Sequence, residues 1–161
     1  MLAIMERTTL SRKSFYVYFR DRSEVITALV RPLRIDADAA ILEWSRSTDP
    51  RAAGRAALAS AARTYREHNA VLRAVFWAGN DDPDLVAVRS QLTQPVIDAG
   101  ARAIELLGPK QLKARATELA QVLVTMNVHT LLGISATATD AELDRVVDTL
   151  STAWERVIGL D

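Results

Sequence analysis

Apolar residues along this chain recur at steps of three and four, and no run of alternating β-branched residues argues for a strand. The pattern predicts an all-α protein. Helix-start chemistry marks the divisions: Ser11 precedes Arg12, Asp21 precedes Arg22, Asp49 stands before Pro50 and Asp82 before Pro83. Gly108 precedes Pro109, and Thr139 has Glu142 three residues on. After a short N-terminal fragment, these signals cut the chain into helices near 12–19, 22–47, 50–67, 70–79, 83–107, 109–135 and 140–158. Pro32 and Pro95 fall inside two of them. Each lacks an N–H and crowds the preceding turn, so a kink is expected at both.

The last two long helices carry apolar seams. On one, Leu112, Ala116, Leu119, Leu123, Met126, Thr130 and Gly133 recur at alternating steps of four and three, and on the other Leu143, Val147, Leu150, Trp154 and Val157 do the same. Such spacing suits helices that cross at a shallow angle. Packing within one chain accounts for part of it. The small residues Ala116, Ala120 and Gly133 also permit close approach, so a two-fold four-helix interface using Ala116, Leu119, Leu123, Val147, Leu150 and Val157 is equally open. The tract from Leu119 to Thr139 is uncharged and long enough to cross a bilayer. Its load of Gln121, Asn127, His129, Gly133 and several hydroxyls instead favours a buried helix with a polar stripe, and no membrane partner is expected.

With 161 residues, 49% apolar and 25% charged, the chain is long enough for one domain with a real core, or a small head on a larger body. A net charge of zero conceals an asymmetry. Residues 1–34 hold seven basic side chains against three acids, so a basic head sits on an acidic remainder, which suggests an anionic partner at one end. The absence of cysteine excludes disulfides and thiolate metal sites, and fits a reducing, cytoplasmic setting. The N-terminus lacks the pattern of a signal peptide. His68 and His129 are far apart in sequence and have no acid at ligand spacing, so no metal and no cofactor are expected. There is no nucleophile elbow, phosphate-cradling glycine loop or zinc motif, so no catalytic residue is assigned and an enzyme is not expected.

The basic end contains LSRKSFYVYFRDRSEVI, residues 10–26. On a helix from Arg12, Phe15 and Phe19 share one face and can anchor it, while Lys13, Tyr16 and Arg20 fall on the opposite face with Arg12, Ser14 and Tyr18 on its flanks. Lysine and arginine neutralise phosphates and reach guanine edges. Tyrosine hydroxyls bond phosphate oxygens, and the helix N-terminus at Ser11 offers free N–H groups. A solvated basic face over an aromatic core would carry the same residues.

The spacing of Leu10, Ser11, Phe15, Tyr16, Tyr18 and Phe19, followed by Arg22 and Glu24 around the turn, strongly resembles the recognition helix of TetR-family transcriptional regulators. The C-terminal stretch TMNVHTLLG…LDRVVDTLSTAWERVIG looks like the EthR-type branch. The resemblance implies a TetR-like fold with a helix-turn-helix head over residues 1–34 and a ligand-binding and dimerisation body over 35–161. It also implies DNA contacts from Ser11, Arg12, Lys13, Ser14, Tyr16, Tyr18 and Arg22, with Phe15 and Phe19 structural. Two features depart from the family: only Met1 to about Arg7 precede the motif where the family has a full first and second helix, and Thr8-Thr9 replaces the usual Ala-Gly turn. The head is therefore expected to be partial.

In the body, Tyr65, Phe76, Trp77 and Trp154 fall on inward faces or helix ends, while Met126, Asn127 and Thr130 lie one above another on the uncharged helix. These seven are the candidate ligand contacts, with Asn127 first for orienting a ligand, and a plain core would use the same residues. The resulting expectation is a homodimeric repressor that binds operator DNA and releases it when a small apolar or amphipathic effector enters the body. The alternative is a ligand-binding or dimerising module whose partial head has lost specific DNA binding.

Overall fold

A computed structural model describes residues 19–77 and 82–160, apart from the side chain of Arg22. Within them the chain is helical, with no strand: α1 (Arg22–Arg46), α2 (Pro50–Glu67), α3 (Asn69–Phe76), α4 (Pro83–Leu107), α5 (Lys110–Lys113), α6 (Ala116–Leu132) and α7 (Asp140–Ile158). The expected helix over 12–19 lies outside the described residues.

The aspartates and the threonine read as start signals act as caps. Asp21 accepts from the Glu24 N–H at 2.9 Å, Asp49 from Ala52 N–H at 2.9 Å, and Asp82 from Asp84 and Leu85 N–H at 3.1 and 3.2 Å. Thr139 and Glu142 form a capping box, in which Thr139 Oγ1 accepts from the Glu142 N–H at 3.3 Å and the Thr139 N–H donates to Glu142 Oε2 at 2.7 Å. At the other end of α7, Gly159 takes a left-handed φ of 80°, which an L side chain rarely adopts. Pro32 and Pro95 sit inside α1 and α4, each of which continues as one helix through its proline.

The expected helix over 109–135 is divided. The Arg115 N–H turns back to the Leu112 carbonyl at 3.0 Å, ending α5 after four residues, and α6 then begins with Ala116 already buried against its neighbours. α6 stops at Leu132 because side chains of α3 occupy the carbonyls that the next turn would use. Arg73 Nε and Nη2 donate to the Leu132 carbonyl at 3.1 and 3.0 Å, and Asn69 Nδ2 donates to the Ile134 carbonyl at 2.9 Å.

α4 lies along both α6 and α1, and α2 lies along α7. At one end, Ile97, Ala101 and Ile104 of α4 meet Ala116, Ala120, Leu123 and Val124 of α6 and Trp154 and Ile158 of α7. Ala62 of α2 joins Leu131, Ile134, Leu143, Val147 and Leu150 in a second cluster. Nearest the chain start, Ile26 and Val30 of α1 pack with Val75, Leu85 and Val88. Leu33, Leu72 and Leu132 connect these regions, with Tyr65, Phe76 and Leu92 alongside. Asp82 also accepts from Ser23 Oγ at 2.5 Å, which ties the first turns of α1 and α4 together.

This packing bears on the proposed seams. Ala116, Leu123, Val147 and Leu150 are between 1% and 7% exposed because they fill the subunit's own core, so they have no surface left for a second copy. Leu119 and Val157 are half-buried at the edge of that core. On α6, Val122 is 65% exposed.

The capping box makes the stability of α7 depend on pH. The Thr139 backbone N–H, and then its hydroxyl, hold Glu142 below the usual carboxylate value of 4.5. A depressed carboxylate pKa contributes stability that is present above the unfolded value and lost as pH falls through the folded one. Thr139→Ala should therefore lower stability by about 1 kcal/mol at neutral pH. It should also move the NMR titration of Glu142 back up toward its ordinary midpoint, and an unmoved titration would separate Glu142 from the cap.

Candidate functional site

α1, α2, α6 and α7, with an edge of α4, enclose a cavity of about 180 Å³. Its walls are apolar because each helix turns its core-facing stripe toward it: Leu33, Ala37, Ile41 and Trp44 from α1, Leu58 and Ala61 from α2, Val124, Val128 and Leu131 from α6, Trp154 and Ile158 from α7. Charge is confined to the opening. There Arg51 pairs with Glu155 at 3.4 Å and Arg55 pairs with Asp148, and the three exposed members of these pairs are more than two-fifths open to water.

Trp154 organises the interior. Its ring meets Trp44 edge-on, with centroids 6.0 Å apart and planes at 81°. Its indole N–H donates to Asn127 Oδ1 at 3.3 Å. An indole nitrogen only donates, so this bond identifies the amide oxygen and leaves Asn127 Nδ2 as a pair of donors with no partner among the described residues. Both residues are buried. The ring has room because α4 carries Gly100 opposite it: a Cβ there would lie 2.6 Å from Trp154 Cη2.

Tyr65 also lines the cavity, and burial pushes its phenol well above the usual tyrosine range, so it stays neutral in water at any ordinary pH. Interior and opening thus differ in kind: uncharged donors and hydroxyls set in hydrocarbon within, paired ions at the rim. That combination suits a small, uncharged, largely apolar molecule with few polar atoms.

Of the seven residues expected to contact a ligand, Tyr65, Asn127 and Trp154 line this cavity. Phe76 stands behind it, stacked on Tyr65 with centroids 6.5 Å apart. Met126 packs into the two largest core clusters and Thr130 is half-buried outside the lining. Trp77 is 57% exposed and lies beneath the Arg73 guanidinium, 4.5 Å from its ring centroid, because Arg73 is held by the end of α6. Most of the lining was not singled out by the sequence reading, Trp44 and Ser151 among it. Trp44 follows Leu33, Ala37 and Ile41 on one face of α1, and Ser151 completes the stripe Val147, Ser151, Trp154 and Ile158 on α7. That periodicity is the signal that could have found them.

Of the expected DNA contacts, Ser11, Arg12, Lys13, Ser14, Tyr16 and Tyr18 lie outside the described residues, and so does the side chain of Arg22, whose backbone opens α1. No described helix is long and apolar enough to cross a membrane.

The described helices surround an apolar chamber, and α1, which lines it, begins at Arg22 directly after the basic N-terminal part of the sequence. The family model described as transcriptional regulator EthR, C-terminal domain, matches residues 54–159, about two thirds of the chain. The chain therefore belongs to the EthR-like branch of the TetR-type transcriptional regulators, a class of regulators and not of enzymes. No curated protein matches it.

The fit of Trp154 against Gly100 gives a test. Gly100→Ala should cost about 1 to 3 kcal/mol through overpacking, and should change the near-ultraviolet circular dichroism as the indole is displaced. A melting temperature and spectrum equal to those of the parent chain would mean the ring does not depend on that space.

Proposed function

We propose that this chain is a homodimeric repressor that works in the cytoplasm, occupies an operator with its N-terminal stretch, and releases it when a small apolar effector fills the cavity. The observation that carries this reading is that α1 both lines the chamber, through Leu33, Ala37, Ile41 and Trp44, and leads back through Arg22 to the residues that resemble a recognition helix. Ser11, Arg12, Lys13, Ser14, Tyr16, Tyr18 and Arg22 are the proposed DNA contacts, chiefly to phosphate, with Arg12 and Lys13 able to reach base edges. In a dimer, two such helices would enter successive major grooves about 34 to 36 Å apart.

The switch requires a ligand that binds one head spacing better than the other, since equal affinity for both would shift nothing. Filling the chamber presses on α1 over its C-terminal half, while its N-terminal half is held to α3 and α4 by Ile26, Val30 and the Ser23–Asp82 bond. Displacement at one end is thus converted into a tilt at the other. For the subunit contact, the outer face of α6 and α7 with Leu119, Val122, Met126 and Val157 is the surface left over after the core is filled.

Binding to duplex DNA from the gene's own upstream region, followed by fluorescence anisotropy across salt, tests the reading, with a steep loss of affinity at high salt expected. Tyr16→Phe should weaken that binding by roughly three- to tenfold, the effect of one lost hydrogen bond, and leave the dimer intact. Asn127→Leu should shift the effector dose response without altering ligand-free DNA binding. Val122→Glu should produce monomers by light scattering. Specific operator binding by a monomeric Val122→Glu chain at undiminished affinity would remove the dimer from the mechanism.

A further inference from the structure

We propose that Ser151 is a specificity-determining residue of the cavity, selecting ligands that carry a hydrogen-bond acceptor over hydrocarbons of the same shape. The inference rests on the cavity being a ligand site, as proposed above.

Ser151 is 6% exposed, belongs to the cavity lining, and its hydroxyl has no hydrogen-bond partner. Among the described residues it is the one hydroxyl that is both buried and without a partner. A serine or threonine within a helix ordinarily returns its hydroxyl to the carbonyl four residues back. Its neighbours on α7 do so: Thr149 donates to Arg145 at 2.9 Å and Thr152 to Asp148 at 2.8 Å. So do Thr27, Thr64, Thr93 and Thr125 on other helices, at 2.8 to 3.1 Å. Ser151 leaves the Val147 carbonyl unused by its hydroxyl. A buried hydroxyl without a partner costs roughly 1 to 3 kcal/mol, which a purely structural position would avoid with alanine.

The setting explains what the hydroxyl is for. Ser151 lies one turn before Trp154, whose indole turns the Asn127 amide so that its N–H₂ has no partner among the described residues. The indole N–H of Trp44, 3.4 Å from where a Gly54 Cβ would be, likewise has no acceptor among the described residues. The chamber therefore holds the Asn127 amide, the Trp44 indole and the Ser151 hydroxyl as donors without a partner among the described residues. Ser151 is set in the apolar wall, and rotation about its Cα–Cβ bond would turn its O–H toward a carbonyl or ether oxygen in the chamber. A hydrocarbon would leave it orphaned, and this asymmetry is what makes a polar site discriminate more sharply than an apolar one.

The test uses 2-nonanone and 2-methyl-1-nonene, which differ only in a carbonyl oxygen against a methylene. Quenching of tryptophan fluorescence reports binding to the full chain, since Trp44 and Trp154 line the cavity and Trp77 lies on the surface. Ser151→Ala should reduce the ratio of ketone to alkene affinity by roughly fivefold, while its ligand-free melting temperature stays unchanged or rises. An unchanged ratio, with both probes bound, overturns the role of Ser151 and leaves the cavity as a ligand site. A ligand-free melting temperature lowered by several degrees also overturns it, by showing that the hydroxyl has an internal partner. Failure of both probes to bind the parent chain overturns the ligand site and the Ser151 role together, and binding of the alkene without the ketone overturns the Ser151 role alone.

Discussion

The indole of Trp154 is the contact on which both core and cavity depend. It is the largest side chain at the meeting of α4, α6 and α7, and it fits only because Gly100 has no Cβ. Its edge packs against Trp44 and its N–H is spent on Asn127. One residue thus closes the hydrophobic cluster, forms a wall of the chamber and orients the amide inside it. The same ring that stabilises the body by burial also defines the shape and polarity of the space it leaves.

That space is kept open by competition between close approach and bulk. Where α4, α6 and α7 meet, Ala101, Ala116, Ala120 and Gly100 let the backbones draw together around one large ring. Along α1 and α2 the lining is short, with Ala37, Ala40, Gly54, Ala57 and Ala61, and the Trp44 indole is the one large ring that α1 sets against it, beside Gly54. The cross-links that hold its frame are at its ends. Arg73 and Asn69 fasten α3 to the end of α6, and Arg66 bonds both the Ala138 carbonyl and Asp140 at the start of α7, at 3.2 and 2.7 Å. The surface pairs between α2 and α7 are exposed enough to contribute little stability, and their consequence is to line the opening with charge.

α1 contributes to three of the four hydrophobic clusters. Ile26 and Val30 belong to the cluster near the chain start, Leu33 belongs to the junction and also lines the chamber, and Trp44 reaches Trp154. A single unbroken helix from Arg22 to Arg46 also means that position 34, where head and body were expected to divide, falls in mid-helix.

How much of this was legible beforehand follows from what local chemistry encodes. The spans of α2, α4 and α7 could be read to the residue from Asp49-Pro50, Asp82-Pro83 and the Thr139–Glu142 box, because a cap is satisfied by atoms a few residues away. The break at Ala114–Arg115 and the stop at Leu132 were not legible, since they depend on burial of Ala116 and on Asn69 and Arg73, remote in sequence. The 3-4 periodicity of α6 and α7 marked Leu123, Val147 and Leu150 as interfacial, but a stripe does not say which helix covers it, and tertiary packing assigned them to the subunit's own core. In the same way the sequence by itself determined an all-helical chain with Asn127 and Trp154 on inward faces. Only the tertiary structure decided that the two bond each other beside an unpartnered Ser151 and that Trp77 lies outside, because a periodicity fixes the direction of a side chain and only packing supplies its neighbours.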